Sequence, residues 1–417
     1  MRNDGSLLLV FSTPYGARVS VKKIVLTDKE NVAAKEELVL AGVNVDRLMK
    51  EKVIEFNKTN EDYRIVIKDY STEEDPYTAL SMDIISNDSL DILCLTEMPV
   101  DVFVQKGLLA DLSGYMDETQ YVEAYIQAIS SDGAIYQVAP AFAIYTLMGR
   151  QSEVGEEVGW TFDEFKQCVK EDMEIKSNAL SYDLQRILCH RQINEFIDWE
   201  KKTVHFQSKE FGEILEFIRE YSYSLDNQMP YFEKLRSGKV LLAEVYLTSG
   251  NNYRTYKHVF CENICAKGFL GSSQANFMSL ISPMGINSKS SYKEVAWEFI
   301  SGLLTEEVEY EYRDYGFPTR LSTLERLIDQ WKGEEQVPEA EITLELGGKR
   351  EKVPYMNGED VDVLWQIIAS ANLLLEDHSE IAQIINEELG GYLAGQISLE
   401  KTMEKIQDRV GVLVSEF

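Results

Sequence analysis

The stretch from Glu37 to Glu97 constrains the fold most: three apolar runs, "ELVLAGV", "YRIVI" and "LDILCLT", are separated by two helix-like segments. The first run is almost continuously apolar, as a strand buried on both faces of a parallel sheet should be. After it, Val45, Met49, Val53 and Phe56 fall on one helical stripe, and Asn57 and Asn60 offer stop chemistry. Tyr63, Ile65 and Ile67 alternate with Arg64 and Lys68, the pattern of a strand nearer an edge. "DPYTALSMDIISND" is predicted as a second helix, opened by Asp75 and Pro76. Strand–helix–strand–helix–strand demands right-handed crossovers and a parallel sheet, so the fold class is α/β.

Open α/β sheets bind ligands outside the carboxyl ends of their strands. Here those ends are small or polar: Gly42, Val43 and Asn44; Asp69, Tyr70 and Ser71; Thr96 and Glu97. Asn, Asp and Glu can hydrogen-bond a polyol, and an aromatic ring can pack on the apolar face of a sugar. The same residues also suit structural work. Asn44 or Asp46 can cap the next helix, and Glu97 can simply be solvated.

From Thr161 onward helices dominate. Thr161 and Glu164 stand at capping-box spacing, with Trp160 and Phe165 placed as a hydrophobic staple, so Trp160 is assigned to packing. Further helices are predicted at "EFGEILEFIREYSY", "YKEVAWEFISGLL", "DVLWQIIASANLLL" and "LEKTMEKIQDRVGVLV", with short strands at "KVLLAEVYL" and "FMSLISPMGI". "TEEVEYEYRD" is expected to be a solvated helix face.

Lys and Arg number 41 against 71 Asp and Glu, a net charge of −30. That surface repels polyanions, which argues against nucleic acid and anionic membrane surfaces as partners. No apolar run approaches the ~20 residues that span a bilayer. "SLLLVF" is too short for a signal-peptide core and lacks a small-residue cleavage site. Taken literally, the chain is cytoplasmic. However, residues 1–36 read as strands without a partner followed by a polar linker, "TDKENVAAKE", which points to a piece of a longer precursor.

The sequence carries no GxGxxG, Walker A, HExxH or GxSxG motif. His190, His205, His258 and His378 are scattered through polar contexts and are expected to be solvated. Five cysteines imply no disulfide framework. Cys261 and Cys265 could bridge only if their segment is not helical, and both are expected to be buried free thiols. No metal site and no cofactor is expected.

The order of the segments resembles the family 1 extracellular solute-binding proteins of ABC importers, the maltose-binding-protein-like carbohydrate class. The resemblance runs from about Glu37 to the C-terminus. It rests on "VIEFNKTNEDYRIVIKDYS", "LDILCLTE", "QKGLLADLSGYMDE", "GAIYQVAPAFAIYTLMGR", "GWTFDEF", "AWEFISGLL" and "GYLAGQISLEKTMEKIQDRV". One departure is Leu90-Asp91, where the family usually has Pro-Asp.

The resemblance implies a two-lobed clamp of the periplasmic-binding-protein type (type II), hinged near "VAPAF" and "SPMGI" with a third crossing after "GFPTR". Residues 1–36 would be the tail of an upstream β-rich domain, 37–141 and 283–320 the first lobe, and 142–282 and 321–417 the second. By the same likeness the cleft receives Asn44, Asp46, Tyr70 and Glu97 from the first lobe, Phe142 from the hinge, and Tyr246 from the second lobe. Trp365 resembles the aromatic residue that stacks on sugars from a C-terminal helix, and core packing explains it equally well.

The implied function is capture of a carbohydrate, an oligosaccharide, for delivery to the permease subunits of an ABC importer. The implied setting is a monomer outside the cell, lipid-anchored through a segment preceding this chain. A clamp that presents ligand to a membrane receptor, and a peptide or amino-acid binder, share the architecture. A two-carboxylate glycan hydrolase in the same cleft has only the abundance of acidic residues behind it.

Overall fold

The computed structural model describes residues 7–12, 19–24, 34–86, 89–170, 174–176, 181–221, 229–270, 275–335, 341–375 and 379–416. β1 (Leu7–Ser12) and β2 (Val19–Ile24) do have a partner: they pair antiparallel with each other, Leu7 opposite Ile24.

The first sheet grows from β3 (Glu36–Gly42), which leads into α1 (Arg47–Thr59), then β4 (Tyr63–Asp69), α2 (Pro76–Ser86) and β5 (Ile92–Cys94). β3 pairs in parallel with both β4 and β5, with Leu38 opposite Ile65 and Leu40 opposite Ile92. Leu38, Leu40 and Ala41 are fully buried, as a central strand covered on both faces requires. Gly42 is needed where β3 meets β5, because a Cβ there would lie 2.6 Å from that of Cys94. α1 is nucleated by Asp46, whose carboxylate accepts the Met49 N–H, and buries Leu48, Met49 and Val53 against the sheet.

The second sheet is organised on β6 (Ala141–Arg150), a strand of 10 residues. α3 (Phe162–Cys168) follows. Its capping box, Thr161 with Glu164, is formed, and the Trp160 and Phe165 rings meet edge-on at 5.1 Å. The Trp160 indole N–H donates to the Gly268 carbonyl, which confirms a packing role. Next come β7 (Glu174–Lys176), α4 (Ser181–Leu188), α5 (Lys209–Tyr221) and β8 (Val240–Leu247), which runs antiparallel along one edge of β6 and parallel to β7.

After α6 (Gly250–Phe260), β9 (Ile264–Ala266) and β10 (Phe277–Ile281) take the other edge of β6, both antiparallel. Cys261 is exposed rather than buried, because it ends α6 in a left-handed conformation (φ 60°). Cys265 lies buried on β9, and both thiols are free.

Through Ser282 and Pro283 the chain then returns to the first sheet as β11 (Met284–Ile286), antiparallel to β5. α7 (Lys293–Leu303) packs on α1, with Phe299 edge-on to Phe56 at 5.7 Å. α8 (Glu306–Glu311) is not wholly solvated: Val308, Glu309 and Tyr312 turn inward, with Glu309 fully buried. β12 (Phe317–Pro318) pairs with the start of β6, Phe317 opposite Phe142. The start of β6 therefore lies between β10 and β12, and the chain's three passages between the sheets run side by side.

α9 (Leu321–Lys332), the hairpin of β13 (Thr343–Leu346) and β14 (Lys349–Lys352), α10 (Gly358–Ser370), α11 (Ser379–Leu393) and α12 (Leu399–Glu416) complete the chain. Of the histidines, His205 is exposed, whereas His258 is half-buried with Nε2 at 3.0 Å from Glu351. His378 and the side chain of His190 lie outside the described residues. No described helix is long and apolar enough to cross a membrane.

Candidate functional site

Three non-glycine residues with positive φ lie at the end of the first sheet where its parallel strands finish. Asn44 (φ 51°) follows β3, Glu97 (φ 58°) follows β5, and Ser282 (φ 53°) precedes β11, whose start lies beside the end of β5. Left-handed backbone costs of order 1 kcal/mol or more for such residues and persists where the surroundings dictate it, commonly at binding sites. Asn44 and Glu97 are exposed there.

Asp69, at the end of β4, fixes this rim. Its carboxylate accepts the backbone N–H groups of Asn44 and Ser71, each at 3.1 Å, and the Lys50 ammonium at 3.2 Å. Partial burial works against its charge, but the bonds from Ser71, Lys50 and Asn44 outweigh it and hold the acid below its ordinary range. The Glu97 carboxylate beside Tyr77, aided by partial burial, raises that phenol above its ordinary range.

Asp46, also assigned to the cleft, is otherwise engaged. Besides capping α1 it accepts the Ser282 hydroxyl at 2.8 Å and the Tyr312 hydroxyl at 3.1 Å. It therefore ties the first strand end to the second passage between sheets and has a positioning role. Tyr70 is corrected outright: it is 6% exposed, packs among Val43, Leu80 and Ile84 under α2, and bonds Asp83 through its hydroxyl.

Phe142 is a second correction. Side chains alternate along a strand, and Phe142, Ile144, Thr146 and Met148 of β6 are all fully buried. Phe142 stacks between Tyr125 and Phe317, at 6.3 and 5.6 Å, with no surface left for a ligand.

The opposite face of β6 carries Tyr145, which lies directly opposite Tyr246 of β8 and Phe277 of β10. Cross-strand partners point to the same side of a sheet. Three aromatic residues therefore stand in one row across three adjacent strands. Tyr246 is 46% exposed, and its ring centroid is 6.5 Å from that of Tyr145. Buried Phe269 backs the row, 4.9 Å from Tyr145 and 6.0 Å from Phe277.

Polar groups edge this platform. The Tyr246 hydroxyl donates to Ser279 Oγ at 3.0 Å. Tyr145 donates to Glu244, and Arg186 of α4 contacts both Tyr145 and Glu244, with Nη2 2.6 Å from Glu244 Oε2. Ser279 and Ser282 are three residues apart, so a short stretch of chain joins the platform to the first-sheet rim. Apolar rings edged by a few placed polar groups, with exposed Asn44 and Glu97 at the strand ends of the other sheet, are the kinds of groups a polyol with apolar C–H faces requires.

Trp365 is half-buried on α10 and packs against the main core. The segment following its helix lies along β10, where the Met278 N–H donates to the Leu373 carbonyl at 2.7 Å. Among the described residues, no group of three or more His, Cys, Asp or Glu side chains is arranged to hold a metal. A charged crevice beside α6 is lined by Arg236, Lys257, Glu351 and Asp360, but these pair with one another and none of its lining comes from the first sheet.

No protein-family model and no curated protein matches the chain. Solved structures do match. An ABC substrate-binding protein from Listeria monocytogenes in complex with cycloalternan is 16% identical, with 92% of this chain and 100% of that one covered at a TM-score of 0.54. A family 1 extracellular solute-binding protein from Alicyclobacillus acidocaldarius is 12% identical over 92% and 99%, TM-score 0.58. A periplasmic oligogalacturonide-binding protein from Yersinia enterocolitica is 12% identical over 91% and 99%, TM-score 0.57. The chain thus has the two-lobed clamp fold of these binding proteins.

Proposed function

We propose that this chain is a family 1 solute-binding protein that captures a carbohydrate, an oligosaccharide, between its lobes and delivers it to the membrane subunits of an ABC importer. The row of Phe277, Tyr145 and Tyr246 on one face of the second sheet, joined through residues 277–282 to the Asn44–Glu97–Ser282 rim of the first, carries this reading. The bound cycloalternan and the oligogalacturonide specificity named for two structural neighbours support it. The lobes are 37–141 with 283–320 and 142–282 with 321–417, closing about the three adjacent passages between them. The protein works as a monomer outside the cytoplasmic membrane, without catalysis.

Within the site, Tyr246, Tyr145 and Phe277 supply the stacking surface, while Asn44, Glu97 and Ser279 supply hydrogen bonds to hydroxyls. Trp365 adds a further aromatic edge from α10. A thermal-shift screen against mono- and oligosaccharides, with amino acids and peptides as controls, tests the assignment. A ligand at 100 times its Kd stabilises by about 2.7 kcal/mol. Sugar hits support the proposal; hits confined to peptides or amino acids would replace the substrate class.

A further inference from the structure

Glu309 has no exposed surface although it belongs to an acidic helix. Its two oxygens have different partners. The Arg320 backbone N–H donates to Oε2 at 2.8 Å, and Thr319 Oγ lies 2.8 Å from Oε1. The same Oγ lies 3.1 Å from the Ala139 carbonyl oxygen. A hydroxyl has one proton to give and a carbonyl has none. If Thr319 donates to Ala139, Oε1 must itself donate to Thr319, and the chain of bonds closes only when Glu309 is a carboxylic acid. If Glu309 is ionised, Thr319 must turn to it, leaving the Ala139 carbonyl with the longer contact from the Tyr125 hydroxyl at 3.3 Å.

The neighbouring charges are arranged to permit the neutral form. The Arg320 guanidinium is directed to the Leu304 carbonyl and to Gln120, and lies over the Tyr121 ring. Its carboxylate-facing contact with Glu309 is the backbone N–H. Tyr121 and Tyr125 are the other titratable groups facing the site from the preceding segment, and Glu306 adds like charge from α8. Burial pushes Glu309 up to about 8, prevailing over the lowering by the Arg320 N–H, Thr319 and the Arg320 charge.

Ala139 lies just before β6, and Thr319 and Arg320 directly follow β12. We propose that protonated Glu309, through Thr319, bolts the first passage between the lobes to the third, so that its ionisation loosens the hinge and weakens ligand capture. The ligand arm of this inference rests on the clamp function proposed above; the hinge arm does not. The folded state holds a proton that the unfolded state, titrating at 4.5, has lost. Stability contributed by this group therefore falls as pH rises between about 4.5 and about 8.

The test is the Tm of the whole chain from pH 5 to 9, without glycan, for the wild type and Glu309→Gln. The glutamine amide donates to Thr319 and its carbonyl accepts from Arg320, so the variant keeps the bolt and cannot titrate. The wild type should lose Tm relative to the variant as pH rises towards 8, and a carboxyl ¹³C NMR titration of wild-type Glu309 should place its midpoint near 8. Parallel Tm curves, or an NMR midpoint at or below 4.5, would overturn the inference, and the NMR arm decides if the variant fails to fold. With a glycan from the screen, affinity should drop at least about fivefold between pH 6 and 8.5 in the wild type and stay level in Glu309→Gln. A pH-shifted Tm with no glycan binding would leave the bolt standing and remove the carbohydrate function instead.

Discussion

Tyr145 and Tyr246 stand directly opposite each other on adjacent antiparallel strands, their ring centroids 6.5 Å apart, and Tyr246 keeps 46% of its surface exposed. An exposed aromatic residue braced by a second ring and by Ser279 is pre-organised: little rotamer freedom remains to be lost when a ligand stacks on it.

Tyr246→Ala should therefore weaken glycan binding by about tenfold, or 1.4 kcal/mol, with little change in stability. Isothermal titration alongside a melting curve separates the two effects. A loss of Tm matching the loss of affinity would mean that the ring serves packing.

Phe142→Ala should do the reverse. The ring is fully buried between Tyr125 and Phe317, so truncation should cost about 3–5 kcal/mol of stability. Urea denaturation measures this directly.

The contrast between these two residues shows what the sequence made legible. The β3–α1–β4–α2–β5 unit was readable because its periodicities are local, and so was the Thr161–Glu164 capping box. The aromatic row was not. It joins positions 145, 246 and 277, and only the cross-strand register brings them to one face. Without that register, Phe142 and Tyr145 are equal candidates three residues apart, and alternation puts them on opposite faces. Tyr70 was misassigned because a strand-end aromatic reads alike whether it turns outward or under the next helix. Glu309 was hidden by its acidic neighbours, although Val308 and Tyr312, four residues apart, already marked an inward-facing stripe.

Asp46→Ala should cost about 1–3 kcal/mol, because it removes an N-cap and leaves the buried Tyr312 hydroxyl without its acceptor. Since Ser282 loses the same partner, glycan affinity should also fall. Chemical denaturation checks the first effect and titration the second.

Acid should detach the β13–β14 hairpin's ionic anchor. The Arg236 guanidinium and His258 hold Glu351 down at about 2. A carboxylate lowered in the folded state adds stability above its unfolded value of 4.5, and that stability disappears as pH falls towards about 2. Glu351→Gln should flatten this limb of the Tm–pH curve.

The most direct measurement is isothermal titration of an oligosaccharide panel into the wild-type chain and into a Tyr145→Ala/Tyr246→Ala double variant. The account predicts saturable binding of at least one glycan by the wild type, with affinity lowered roughly a hundredfold or beyond detection in a still-folded double variant. A glycan bound equally well by both proteins, or no glycan bound while a peptide or amino acid is, would contradict it.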